Sequence, residues 1–428
     1  MINFRSELFW LLDKVKGNVI RDNLKNIEEL FDLDYKLLQE QNQPVLGRLL
    51  DTAVNHSKFY GTYKGYESLQ DFPVVNKSII KQNFDEITLP ESIGGGRFSV
   101  STSGSTGTPF KIYQSEGKRR RNTADTIYFA MKSGFAIGDR LLYLRLWAAY
   151  YKKPEILAWI QNVDQLDVEE INDTFLESFF KKLTKDKQRK GWLAYSSAFS
   201  KICNYLDKGN YPPLDCNVTS IIAMSESLDL YTREKMEYYF KCPIVSRYSN
   251  VENGIIAQQM PNRKEFDINW ASYYVELLKI DSDDPADMGE LGRIVVTDLF
   301  NLATPMIRYD TGDVATMKIG PNGFPEFSLV QGRITDILTN TKGEIISHFI
   351  IHTNLYRYPE LEQVQLIQRK NKNYLFKVNS TGRFDREGEF IAFFKEYLGE
   401  DAHVSVEYVS EIPLLKSGKR KIIVNETT

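Results

Sequence analysis

The sequence predicts an α/β protein, with a large N-terminal α/β domain of layered sheets and helices and a small C-terminal α+β domain. Three observations carry this. The chain has 428 residues, more than one compact core holds, so two or more domains are expected. From about 95 to 330, short β-rich apolar runs alternate with helical stretches, the pattern of α/β layers. After "GRITDIL" (332–338) the pattern changes to a short α+β series of about 90 residues, enough for a domain of its own.

Residues 1 to about 90 read as mainly helical, with apolar residues at helical spacing in "NIEELFDLDYKLLQEQNQPVLGRLLDTAV". The opening "MINFRSELFWLLDKVKGNVIRD" mixes charge into its apolar residues from Arg5 onward, which does not fit a signal peptide. It reads as an amphipathic helix packed on its own protein, with peripheral contact to a membrane surface as the other reading. Strands are expected at 140–147, 218–224, 243–247, 273–280 and 291–297, and helices at 117–133, 197–206 and 229–240. The strands after 270 are expected to be antiparallel. The charge-dense segment 162–190 reads as a solvated helix plus its loop. Beyond the boundary come a helix-like stretch (347–356), "QVQLIQR", "NYLFKVN", a second helix (386–398) and "HVSVEYV". The domains are therefore drawn at 1–334 and 337–428.

Composition narrows the function classes. With 54 basic and 57 acidic side chains the net charge is −3, so no basic excess marks a nucleic-acid binder. The three cysteines, Cys203, Cys216 and Cys242, form no CxxC pair. That argues against a disulfide framework or a thiolate zinc site and fits a cytoplasmic protein. The most apolar run, "LLYLRLWAAYY" (141–151), is too short for a membrane span and carries Arg145.

The chemistry-bearing stretches begin with "STSGSTGTPFKIY" (101–113), where hydroxyls and glycines precede an expected strand. Taken alone it reads as a surface turn. Its glycines would equally let backbone N–H groups approach an anion, with hydroxyls and Lys111 completing a phosphate cradle. It is not a Walker loop, because Gly107 is followed by Thr108, Pro109 and Phe110 before Lys111. Four further elements follow in order. "IIAMSESLD" (221–229) ends a strand in Ser225, Glu226 and Ser227, and "SRYSNVENG" (246–254) places Tyr248 four residues before Glu252. "TPMIRYDTGDVA" (304–315) ends a strand in Asp310 and Asp313 around Gly312, and "VQGRITDIL" (330–338) carries Arg333. Near the end, "IPLLKSGKRKIIV" (412–424) sets Lys419 in a glycine-containing loop. Each has a plain reading as turn, helix or solvated loop. His348 and His352 lie four apart, and all four histidines read as structural, since a metal site would need a further ligand.

The five elements in this order resemble the signature series of the adenylate-forming superfamily of acyl-CoA synthetases, adenylation domains and luciferases. The chain looks most like its phenylacetate–CoA ligase-like branch, which includes the capsular polysaccharide (CapK-like) proteins. "GELGRIVVTDLFNLATPMIRYDTGDVA" is the most specific match, and "LLDTAVNHSKFYGTYKG" and "DFPVVNKSIIKQNFDEI" resemble the helical opening of that branch. The resemblance implies ATP and Mg²⁺ as cofactors and a mobile C-terminal domain. It implies that Ser103, Gly104, Ser105, Thr106, Gly107 and Lys111 wrap the β- and γ-phosphates. Ser225, Glu226 and Ser227 would lie along the adenine, with Tyr248, Ser249 and Asn250 on its other side. Glu252 would bind Mg²⁺, Asp313 the ribose hydroxyls, and Arg333 would lie near the ribose. Lys419 would be the mobile catalytic lysine. Thr335 stands at the usual hinge position, where the family has Asp or Lys, with Asp336 next.

The implied function is an ATP-dependent carboxylate ligase that forms an acyl-adenylate, releases pyrophosphate, and passes the acyl group to CoA or an amine, in the setting of polysaccharide biosynthesis. A kinase or ATPase built on the 101–111 loop, or a silent scaffold relative, are the alternatives. The acid would be met by Arg145 and Tyr195. Strand alternation sends Leu141, Tyr143, Arg145 and Trp147 to one face and Leu142, Leu144 and Leu146 to the other. Arg145 reads either as an arginine snorkelling to water or as part of an acyl site for an acid with a second polar or negative group.

Overall fold

The computed structural model describes residues 3–102, 110–147, 152–333, 338–346, 355–358, 360–380, 382, 384–413 and 422–427. It divides into a large unit that runs, with short exceptions, to Val330 and a small one from Gln331 onward.

The large unit opens with three helices, Phe4–Val15, Val19–Phe31 and Tyr35–His56. Local capping sets two of their starts: Asn3 Oδ1 accepts from the Arg5 and Ser6 N–H groups, and Asp34 accepts from Leu37 N–H. Leu24, Ile27 and Leu30 form the buried stripe of the second helix, an i, i+3 spacing that faces the core. Phe9 and Trp10 of the first helix pack on that core, while Phe4, Leu11, Leu12 and Val15 are exposed.

A hairpin of β1 (Phe98–Thr102) and β2 (Phe110–Gln114) flanks the 103–109 segment. The main sheet has eleven strands. Its first part is parallel: β3 (Arg140–Arg145), β4 (Val163–Asp167), β5 (Lys190–Tyr195), β6 (Val218–Met224) and β7 (Ile244–Asn250). The rest is β8 (Gly254–Gln259), β9 (Phe266–Ile268), β10 (Tyr273–Leu278), β11 (Leu291–Asp298), β12 (Tyr309–Ile319) and β13 (Pro325–Arg333). The spatial order is β10-β11-β12-β13-β9-β8-β7-β6-β5-β3-β4. Helices Glu116–Lys132, Ser196–Lys208 and Leu230–Phe240 fall close to their expected positions.

The strands after 270 pair antiparallel as expected, and β7–β8 is already antiparallel, because only three residues join those strands and a parallel partner needs a crossover. Two expectations need correction. Segment 162–190 contains β4 before its helix, Asp173–Leu183. At the sheet edge β4 is half-buried throughout, so its polar composition hid it. "YDTGDVA" starts a strand instead of ending one, since β12 begins at Tyr309.

In the small unit β16 (Leu361–Arg369) and β17 (Asn373–Ser380) are antiparallel neighbours. They are flanked in parallel by β19 (Ile423–Asn425) and β18 (His403–Tyr408) respectively. A two-residue pairing of β14 (Leu338–Thr339) with β15 (Ile345–Ile346) precedes them. Phe376, Phe390 and Phe394 meet with ring centroids 4.8 Å apart, joining the helix Glu387–Leu398 to the sheet. The expected helix-like stretch 347–356 lies mostly outside the described residues, with Leu355–Arg357 forming a 3₁₀ turn.

Candidate active site

Glu252 sits in the turn between β7 and β8, with its side chain only 2% exposed. The turn is held by Asn250 Oδ1, which accepts from Asn253 N–H at 2.7 Å. Glu252 Oε1 accepts from the Tyr309 phenol at 2.7 Å and pairs with Lys77 Nζ at 3.0 Å. Its other oxygen, Oε2, is buried and has no hydrogen-bond partner among the described residues. A buried acceptor left so is costly, so this oxygen lacks the partner that a cation or donor would supply. Burial first, and then Glu252, hold the Tyr309 phenol far above its ordinary range, so it stays a donor. The Lys77 ammonium also stands 5.6 Å over Phe110, whose ring stacks on Tyr309. Sequence reading assigned Lys77 and Tyr309 no role although both lie in stretches it singled out, because their pairing with Glu252 joins positions far apart along the chain.

Asp313 is presented by a bulge in β12. Val295 pairs with Asp310 but Arg293 pairs with Val314, so β12 carries two extra residues there. Gly312 takes φ +79°, a left-handed conformation suited to glycine. The two aspartates then part. Asp310 is engaged by Arg293 Nη1 at 2.7 Å and by Gly312 N–H at 2.8 Å. Asp313 Oδ2 accepts from the Tyr248 phenol at 2.8 Å. The same phenol lies 3.2 Å from Thr311 Oγ1, which donates to the Ile294 carbonyl at 3.0 Å and accepts from Asp313 N–H at 3.2 Å. Burial, and next the Asp313 carboxylate, raise the Tyr248 phenol well above its ordinary range. Tyr248, Asp313, Tyr309 and Glu252 thus form one cluster, with Asp313 and Tyr248 both acting on Tyr309.

The carboxyl ends of the parallel strands carry the other expected residues. Ser225 adopts φ +68° just after β6. Glu226 Oε2 accepts from Ser197 N–H at 2.8 Å, and its carbonyl accepts from Ser196 Oγ at 3.1 Å. Its carboxylate therefore sits on the N-terminus of helix Ser196–Lys208, a favourable place for negative charge. Ser249 lies at a register shift in the β7–β8 ladder. Lys111 Nζ lies 3.0 Å from Tyr113 Oη, on the exposed side of β2.

Leu142 and Leu144 are buried as expected. The strand stops at Arg145, so Trp147 lies beyond it, with its indole N–H donating to the Leu166 carbonyl at 3.0 Å. The Arg145 guanidinium lies beside the edge-to-face pair of Tyr143 and Trp147, 5.8 and 5.4 Å from their ring centroids. Tyr195 is buried at the end of β5, where burial raises its phenol and Arg145 opposes the shift. Arg247 on β7, also missed from the sequence, is buried on the same sheet.

Ser103, Gly104, Ser105, Thr106, Gly107, Thr335, Asp336, His348, His352 and Lys419 lie outside the described residues, as does the Arg333 side chain. No group of three or more His, Cys, Asp or Glu that could cage a metal occurs among the described residues. A Mg²⁺ carried on substrate phosphates needs no such cage, since one carboxylate and waters suffice. Glu252, with one oxygen unpartnered, fits that requirement.

Comparison with known proteins bears on this arrangement. Residues 337–426 match the family of CapK C-terminal domains. The chain is similar to protein CapK of Staphylococcus aureus, 21% identical over 423 residues covering 94% of this chain and 90% of that protein. Among solved structures it is similar to a 2-hydroxyisobutyryl-CoA ligase in the postadenylation state in complex with 2-HIB-AMP. The TM-score is 0.70 at 17% identity, covering 91% of this chain and 90% of that one. It is also similar to an anthranilate CoA ligase in complex with anthranoyl-AMP. There the TM-score is 0.53 at 15% identity, covering 75% of this chain and 64% of the other.

Proposed function

We propose that this chain, which has the adenylate-forming ligase fold and the CapK likeness read from its sequence, activates a carboxylic acid with ATP. The observation that carries the reading is the pair of oriented carboxylates, Asp313 held by Tyr248 and Glu252 held by Tyr309. They are cross-linked by those tyrosines, Tyr248 of β7 reaching Asp313 and Tyr309 of β12 reaching Glu252, and Glu252 keeps an oxygen unpartnered among the described residues.

In the reaction a carboxylate oxygen attacks the α-phosphorus of ATP, the bond to the β-phosphate oxygen breaks, and acyl-AMP and pyrophosphate form. The nucleophile is already ionised, so no general base is required. Asp313 accepts from the ribose hydroxyls, with Tyr248 keeping its carboxylate aligned. The 225–227 backbone and residues 248–250 enclose the adenine, while Glu226 anchors that turn to its helix. The family resemblance assigns residues 103–107 and Lys111 to the terminal phosphates and Arg333 to the ribose. Glu252 is the residue that would hold Mg²⁺. That ion, when bound, supplies charge neutralisation at the phosphate oxygens. Until a cation arrives, Lys77 neutralises Glu252. Lys419 stabilises charge developing in the transition state. The family resemblance also implies a mobile small domain, which would exchange the groups around the acyl carbonyl for the second step. The acceptor is CoA or an amine, and the family resemblance read from the sequence supports a product used in polysaccharide biosynthesis.

The test is nucleotide product analysis with a panel of carboxylic acids, with and without CoA. Acid-dependent release of AMP and pyrophosphate is expected. ADP as the product would transfer the site to a kinase or ATPase, and no turnover with intact ATP binding would favour a scaffold.

A further inference from the structure

Arg247 is 8% exposed and lies on β7 near the middle of the sheet. Its Nε donates to Gln258 Oε1 at 2.7 Å, a neutral acceptor. Its Nη2 is buried with no partner among the described residues. Another buried arginine in this fold is treated differently: Arg308 meets Glu276 through two nitrogens and donates to the Phe72 carbonyl. Burial accordingly pushes the Arg247 guanidinium down to about 10. A structural role gives no reason to retain a desolvated, unpaired cation, because an apolar side chain of similar volume is usually neutral or better.

The register shows what Arg247 is near. Leu144 pairs with Ala194, Tyr195 with Met224, and Met224 with Arg247. Arg145, one residue beyond Leu144, therefore stands level with Tyr195, and the row Arg145, Tyr195, Met224, Arg247 crosses four adjacent strands. Tyr143, two residues before Arg145, shares its face. Tyr143 and Arg247 thus share one face of the sheet on strands three spacings, about 14 Å, apart, and the Tyr143 phenol opposes the effect of burial on the Arg247 guanidinium. Tyr195 in turn feels both Arg145 and Tyr143. The row lies at the carboxyl ends of β3, β5 and β6, where open α/β sheets take their ligands.

We propose that Arg247 and Arg145 form a cationic subsite for a second oxyanion on the acid, so that the substrate is a diacid or an acid bearing another oxyanion besides the reacting carboxylate. This rests on the ligase reading above for the identity of the reacting group, but the recognition step can be measured without turnover. The Arg247 guanidinium donates from Nη2 to that oxyanion, and the aromatic rings of Tyr143 and Trp147 hold Arg145 beside it.

The experiment measures binding to the full chain by calorimetry for matched pairs, succinate against butyrate and glutarate against valerate, together with 3-phosphonopropionate. Pyrophosphate exchange is run with the same acids. Wild type is expected to bind at least one diacid or the phosphonate about tenfold or more tightly than its monoacid, the scale of a charge-assisted pair. Arg247→Met should abolish that preference while raising the unliganded Tm, since a buried unpaired charge is removed. Arg247→Lys should retain part of it, and keeps the test alive if the methionine variant does not fold. Preference for the phosphonate over succinate would identify a phosphate-type oxyanion and supports the subsite. Equal or better binding of monoacids, no binding of any acid, or a preference unchanged in Arg247→Met overturns it. Monoacid-driven exchange alone would sink the subsite and leave the ligase reading standing. Arg247-dependent diacid binding without exchange would do the reverse.

Discussion

Replacing Asp313 with alanine separates a nucleotide-binding role from a structural one. In the structure its Oδ2 accepts from Tyr248 at 2.8 Å. When the carboxylate is removed, Tyr248 can still donate to Thr311 Oγ1, already 3.2 Å away and itself donating to the Ile294 carbonyl. No buried donor is stranded, so the folding cost should be about 1 kcal/mol, the net value of one ordinary hydrogen bond. ATP binding should suffer far more. Two ribose hydroxyls donating to an ionised acceptor contribute about 1.5–3 kcal/mol each. At about 1.4 kcal/mol per decade, their loss weakens ATP by at least about 100-fold. The assay is calorimetric titration of ATP into Asp313→Ala beside its thermal unfolding curve. A well-folded variant whose ATP Kd stays within about twofold of wild type would refute the assignment and leave Asp313 as a scaffold of the bulge.

Lys419→Ala should abolish acid-dependent pyrophosphate release while ATP affinity stays near wild type, as expected for a group that acts on charge developing in the transition state; release at the wild-type rate removes it from the mechanism. Glu252→Gln keeps an acceptor for Tyr309 but loses the charge paired with Lys77, so Mg²⁺-dependent turnover should fall about 100-fold or more, and an unchanged Mg²⁺ titration of activity would count against it. Arg145→Met should raise the KM for the acid strongly with the KM for ATP unchanged, and steady-state kinetics with each substrate varied in turn decides this. Lys190 is fully buried and donates to the Asp186, Gln188 and Cys216 carbonyls; Lys190→Met should cost about 3 kcal/mol or more by stranding them, read as a lower denaturation midpoint, and an unchanged midpoint would show that the carbonyls find other donors.

The sequence by itself determined the parts that depend on neighbours along the chain. Helical spacing and local caps define the opening helices, and β-rich runs punctuated by helices define the parallel strands. Asp313 and Glu252 were picked out through the resemblance of "YDTGD" and "SNVENG" to the family's signature, since each stretch by itself reads as a plain turn or helix. Tertiary structure alone decided what completes each of them. Lys77 reaches Glu252 from the helical opening, and Tyr309 reaches it from β12. The unpaired state of Arg247 exists only because β7 is covered on both sides in an eleven-stranded sheet. β4 escaped notice for the opposite reason, since a half-exposed edge strand has no hydrophobic pattern to display. Desolvation and pairing across strands are properties of the assembled sheet. No window of the chain carries them, because the groups that remove water or supply a partner come from distant positions.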